Sequence, residues 1–243
     1  MLYFEEFEKV TYNFGDEVDP VIFQNISMYA DVVDTIKNSI SFLNVHTIQE
    51  GFRPDQVSLQ IYGTPLYYWT FYLLNDDIRE QGWPLPRHEL EEYVHKIFPN
   101  TTITTRDANL PIKFKVGQTV TGGTSSASGK IIKRNIDLGQ IIVEGDISFS
   151  IGGELLTSTN SLGVSETLRS VSTSKEYQAA SHYINGSSAI VDIDPVVGPG
   201  ALLTEQTNEN VYFNVNDSLR QIKIIKPSQI INLVSSFKQA IRD

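Results

Sequence analysis

Residues 65–74, Pro-Leu-Tyr-Tyr-Trp-Thr-Phe-Tyr-Leu-Leu, constrain the fold of this 243-residue chain more than any other stretch. After the opening proline only Thr70 is polar. Wound as a helix, the segment sends Tyr67, Tyr68, Trp69, Phe71 and Tyr72 in every direction around its axis. A helix that is apolar all round has to be covered on more than one side. Part of that cover can come from its own small domain. The rest calls for a further domain or a partner. Tyr and Trp suit either place, because each joins a large apolar body to a polar handle.

The flanking residues predict two short helices with a tight break, over residues 53–85. Pro54 suits a first helical position, where its missing N–H is no loss. Asp55 places a carboxylate in the first turn, against the helix dipole. Val57, Ile61 and Tyr62 recur at helical spacing. Gly63 stands where a left-handed residue ends a helix. Thr64 and Pro65 are a fresh N-cap and first position. Asn75 is a stop, and Asp76-Asp77 reads as a helix-end turn.

The string Tyr62-Gly63-x-Pro65-x-x-Tyr68-Trp69, followed by Asn75, resembles the LysM-like modules of contractile-tail phages. Four motifs fall in order: Arg53-Pro-Asp-Gln-Val57, the Tyr62 string, Trp69-Thr-Phe-Tyr-Leu-Leu-Asn-Asp76 and Gly82-Trp-Pro-Leu85. In that order they are similar to the small LysM-like baseplate wedge subunit of T-even-type phages. The stretch from Asn216 to Pro227, followed by a helix, is similar to the end of that subunit. The resemblance covers residues 1–110 and 176–243. It implies an α+β fold, a βααβ module whose first strand precedes Arg53. It also implies a structural role in the virion tail baseplate, assembled in the host cytoplasm. The partners would be other phage baseplate wedge proteins, with several copies in a six-fold baseplate.

Composition narrows the alternatives. The net charge is −10, with no Lys/Arg-rich run, which argues against nucleic acid or an anionic membrane as the main partner. With no cysteine there is no disulfide, thiolate metal cage or thiol nucleophile. Residues 1–9 lack the basic-then-apolar pattern of a signal peptide. No apolar run approaches the ~20 residues of a membrane span.

Taken in order, residues 1–45 form an N-terminal segment, with a strand-like stretch at 2–14 and an ambiguous one at 24–40. Residues 42–48 alternate weakly. Residues 46–112 hold the LysM-like domain and a following amphipathic helix at 86–98. There Leu90, Val94, Ile97 and Phe98 share a face beside Tyr93, and Pro99 ends it. From 113 to 172 the aromatics almost vanish and Gly, Ser, Thr, Val and Ile take over. Phe114-x-Val116-Gly117-x-x-Val120-Thr121 returns as Phe149-x-Ile151-Gly152-x-x-Leu155-Leu156. Runs at 130–133 and 140–144 flank a turn through Asp137-Leu-Gly139. Short strands with glycine turns predict a small all-β, barrel-like insertion. In residues 173–243, Asn185-Gly186 predicts a hairpin between 180–184 and 189–193, with a loop at 194–210. A second hairpin is expected between 211–215 and 220–225, turning at Asn216-Asp217. A helix at 227–241 carries the stripe Ile230, Val234, Phe237 and Ile241.

Signals for chemistry are weak. Gly-Thr-Ser-Ser-Ala-Ser-Gly-Lys at 123–130 has five residues between its glycines rather than the four of a phosphate loop, and Ile131 where Ser or Thr binds Mg²⁺. His88 and His95, beside Glu91 and Glu92, lie on one helix face but two turns apart, roughly 10 Å, too far to share an ion without a bend. His46 and His182 have no nucleophile motif beside them. The expectation is therefore no enzyme, no cofactor and no metal. The candidate partner-binding residues are Arg53, Asp55, Tyr62, Tyr67, Tyr68, Trp69, Tyr72 and Trp83. For Arg53 and Asp55 a local ion pair is the competing reading; for the aromatics it is core packing. A glycan-binding LysM module for peptidoglycan is the alternative function. It needs an open groove between strand and helix, and usually repeated modules or a hydrolase motif, neither of which this sequence has.

Overall fold

The structure, a computed structural model, describes residues 9–13, 15, 19–24 and 42–242. Residues 25–41, which hold most of the ambiguous stretch, and residues 1–8 lie outside the description. In chain order the elements are β1 (Lys9–Tyr12), β2 (Val21–Gln24), β3 (Leu43–Thr47), α1 (Pro54–Tyr62), a 3-10 turn (Pro65–Tyr67), α2 (Trp69–Leu74), α3 (Asp76–Gln81) and α4 (Arg87–Ile97). Then follow β4 (Thr101–Thr105), β5 (Thr119–Gly122), β6 (Ser128–Asn135), β7 (Gln140–Val143), β8 (Leu155–Thr159) and β9 (Ser165–Lys175). After a 3-10 turn (Glu176–Gln178) come β10 (Ala180–Ile184), β11 (Ile190–Val191), β12 (Thr204–Thr207), α5 (Asn208–Ser218), β13 (Gln221–Ile225) and α6 (Ile230–Arg242). Every strand pair among the described residues is antiparallel, and the chain mixes helices with several small sheets, so the fold is α+β.

The described chain forms two compact units. The first holds residues up to Pro86 and from Asn216 onward. Its β13 pairs with β3, Lys223 opposite Val45 and Ile225 opposite Leu43. Helix α1 starts where its proline predicts. The Arg53 N–H donates to Gln56 Oε1 at 2.9 Å, and Gly63 ends the helix at φ 72°. The single helix expected over 65–74 is split. Buried Ser58 donates to the Thr64 carbonyl at 2.8 Å and accepts from the Tyr67 N–H at 3.3 Å. These bonds hold residues 65–67 as a 3-10 turn, and α2 begins only at Trp69. Asp76-Asp77, expected as a helix-end turn, instead opens α3, where carboxylates favour the positive end of the dipole.

The second unit is Arg87–Val215. Its centre is a closed six-stranded barrel, ordered β4-β7-β6-β5-β8-β9. Closure leaves no free strand edge. Ile103, Phe114, Val120, Ile131, Ile141, Val143, Phe149, Leu156 and Leu168 fill it. The barrel is wider than the 113–172 expected, because β4 closes it against β7 and β9. Thr-Thr-Ile-Thr-Thr has one apolar residue and so gives no hydrophobic signal, although threonine's branched Cβ favours strands.

After the barrel one expectation holds and two fail. The hairpin from β10 to β11 forms, joined by the five residues 185–189 with Ser188 at φ 61°. The Asn185 Oδ1 accepts from the N–H groups of Ser187 and Ala189 and so organises that loop. The 194–210 loop contains β12, which pairs with the other edge of β10. The second hairpin does not exist. Thr207 accepts from the Asn210 N–H at 3.1 Å, and residues 208–218 continue as α5. Tyr212 on α5 meets the rings of Tyr93 and Phe98, with centroids at 6.2 and 5.8 Å.

Candidate functional site

The aromatic segment of the first unit lies between two apolar clusters. Phe71 belongs to one, with Ile48, Val57, Ile78, Ile222 and Ile224. Leu73 and Leu74 belong to the other, with Ile225, Ile230, Val234 and Phe237. The cover that the sequence demanded on a second side thus comes from α6 of the same unit. Trp69 meets Phe237 at 5.2 Å between ring centroids.

Most candidate residues are joints inside this unit. Tyr62 is half-buried and donates to the Ile225 carbonyl at 3.0 Å; burial pushes its hydroxyl up to about 12. Tyr67 packs edge-on to Tyr62 at 5.9 Å. Tyr72 and Trp83 meet at 6.0 Å, and the Trp83 Nε1–H donates to the Phe52 carbonyl at 2.7 Å. Arg53 and Asp55 form an exposed two-pronged pair, with N–O distances of 3.1 and 2.8 Å, and Arg53 holds the Asp55 carboxyl below its usual range. Such exposed pairs contribute little to stability. Only Tyr68 among the candidate aromatics is exposed, at 43%, with Leu66 beside it in sequence at 53%.

Asn75 carries more than a helix stop. Its Nδ2 donates to the carbonyls of Phe71 and Lys223, at 2.8 and 2.9 Å. Its Oδ1 accepts from the Lys223 N–H at 2.7 Å. One side chain therefore stands in for a neighbouring strand at Lys223 of β13. Asn216, buried, does the same for Leu85: its Oδ1 accepts from the Leu85 N–H at 2.8 Å and its Nδ2 donates to the Leu85 carbonyl at 3.1 Å. Spacing alone gives no sign of either role.

The phosphate-loop-like stretch has its donors occupied by the chain itself. The buried carboxylate of Glu154 accepts from the N–H groups of Thr124, Ser125 and Ser150 and from the Ser125 hydroxyl, at 2.7, 2.9, 2.8 and 2.7 Å. Gly122 makes this possible, since a Cβ there would lie 2.6 Å from the carboxylate. Glu166 likewise accepts from the Phe114 N–H at 3.0 Å, holding a buried phenylalanine at φ 52°. Of the histidines, His95 stacks on Tyr177 at 3.8 Å and faces Glu209 at 3.7 Å, while His88 faces Glu89 at 3.9 Å. Burial lowers the pKa of His46, and His182 Nδ1 lies 3.5 Å from the Ser181 hydroxyl. Among the described residues, no three or more of His, Cys, Asp and Glu come together as a metal site. Among them too, no helix is long and apolar enough to cross a membrane.

No protein-family model matches this chain, and no curated protein does.

Proposed function

We propose that the chain is a structural subunit of a contractile-tail baseplate, built on a LysM-like module, that binds other wedge proteins and ties wedges together in the virion. One observation carries this reading. Within the first unit, strand β3 is followed by the short helices α1, α2 and α3 and, after the second unit, by strand β13, which pairs with β3. The motif residues behind the resemblance also sit at the module's joints: Tyr62 on Ile225, Asn75 on Lys223 and Trp83 on Phe52. The exposed face at Leu66 and Tyr68 is the part of the aromatic segment available to a neighbour.

The test is to purify intact tails from a phage encoding this chain and solve the baseplate by cryo-electron microscopy. The expected result is density for the chain in every wedge, with Tyr68 at a subunit contact. Absence of the chain from purified tails would overturn the reading. Retention of the isolated chain on peptidoglycan sacculi would move it to the glycan-binding alternative.

A further inference from the structure

The outer wall of the barrel carries a surface that the module does not use. On β9, Thr167, Arg169 and Val171 face outward, while Leu168 and Ser170 face in. Arg169 stands directly opposite Leu155 of β8. Leu155 is 54% exposed, Val171 52%, and Ile151, on the turn before β8, 80%. Gly153, at φ 84°, lets that turn lie against β9, for a Cβ there would stand 2.4 Å from the Ser170 carbonyl oxygen. Turn and strand bound a cleft of about 440 Å³, lined by Arg106, Asp107, Gly152, Arg169, Ser170 and Val171.

The charge in this cleft is unbalanced. In a chain of net charge −10, Arg53, Arg79, Arg87 and Arg220 each meet a carboxylate. Arg106 and Arg169 make no ion pair among the described residues. Arg106 Nη1 donates to the carbonyls of Leu138 and Pro195, both at 3.2 Å, which fixes its position without neutralising it. The cleft's one carboxylate, Asp107, accepts through Oδ1 from the backbone and side-chain N–H of Asn109, at 2.9 and 2.8 Å. The Arg169 guanidinium makes no hydrogen bond among the described residues. It is left with a full set of donors, with the exposed Leu155 opposite it on β8 and the exposed Val171 two residues on along β9. A guanidinium binds a carboxylate through two parallel bonds, and neighbouring apolar groups that exclude water strengthen such a pair.

We infer that this cleft docks an acidic side chain, flanked by apolar residues, from a protein partner. Charge complementarity selects the carboxylate, and the exposed Leu155 and Val171 beside Arg169 select its neighbours. That the ligand belongs to a protein rests on the assembly reading; the recognition chemistry does not. The test follows the arginine side-chain N–H resonances of the full chain by NMR, at constant ionic strength. The probe is acetyl-Leu-Glu-Leu-amide, with acetyl-Leu-Gln-Leu-amide and inorganic phosphate as parallel arms. The expected result is a saturable shift of the Arg169 Nε–H with the Glu peptide. Affinity should fall at least roughly tenfold with the Gln peptide and in Arg169→Gln. Leu155→Ser should weaken it severalfold. Arg169→Gln should melt like the parent, because the side chain is exposed and unbonded. A saturable response to phosphate but not to the peptide would make this a small-anion site and overturn the inference. So would an absence of saturation, or binding unchanged in Arg169→Gln. All of this is read on the isolated chain, so it stands or falls separately from the chain's presence in tails.

Discussion

Glu154 holds two turns of the barrel with one carboxylate, and that makes the barrel sensitive to acid. Burial alone would raise its pKa, but the donors from Ser150, Ser125 and Thr124 outweigh burial and hold it at about 2, against 4.5 for an ordinary glutamate. The unfolded chain therefore binds the extra proton first. The carboxylate's contribution is complete above pH 4.5 and is lost as pH falls through about 2. Glu154→Gln removes it, at a cost on the order of 2 kcal/mol near neutrality. Urea unfolding of the two proteins between pH 7 and 2 should show a gap that closes only below the ordinary glutamate range. A gap of constant size would mean that the charge is not what holds the turns. The aromatic segment gives a sharper contrast. Trp69 is packed on Phe237 and Tyr68 is exposed. Trp69→Ala should cost about 3 kcal/mol or more, and Tyr68→Ala within roughly 0.5 kcal/mol. Equal losses in thermal melts would contradict the packing described.

At the scale of elements, one edge of the sheet of β3 and β13 depends on a side chain. Asn75→Ala removes the bonds to the N–H and carbonyl of Lys223 and should cost about 1 kcal/mol. Hydrogen exchange at the Lys223 amide should quicken, while exchange at Ile222, buried in the core, should change far less. Unchanged protection at Lys223 would mean that the strand pairing with β3 suffices. These elements also show what the sequence makes legible. Pro54, Gly63 and the Thr64-Pro65 pair mark helix boundaries because their backbone chemistry is local. The apolar stripe Ile230, Val234 and Phe237 marks α6 for the same reason, and all three side chains are buried. What fails is set by distant groups. Ser58 tightens residues 65–67 from the previous helix. Thr101–Thr105 becomes a strand because β7 and β9 flank it. Asn216-Asp217 looks like a turn, yet Asn216 is the buried partner of Leu85. The candidate site fares the same way: its aromatics are visible in the sequence, but the packing of Tyr62, Tyr67 and Trp69 against the cluster that α6 completes is not.

At the scale of the molecule, the chain leaves the first unit at Pro86 and re-enters it at Asn216. The reciprocal bonds between Asn216 and Leu85 bring exit and return side by side. Adjacent ends are what allow one unit to be inserted into another without disturbing it. Removing residues 87–215 and joining Pro86 to Asn216 through about three glycines should therefore leave the first unit folded. Both tryptophans of the chain, Trp69 and Trp83, lie in that unit, so their fluorescence reports on it alone. The expected outcome is a blue-shifted emission and one cooperative urea transition, weakened by about 1–2 kcal/mol when Asn216→Ala is added. Cutting at 113 and 172 is a different operation. It leaves β4 and the end of β9 behind, with their barrel partners gone, so it should abolish cooperative unfolding of what remains of the second unit. If the 87–215 deletion instead gives a red-shifted emission with no transition, the first unit does not stand on its own. The sheet of β3 and β13 would then need the intervening residues to form at all.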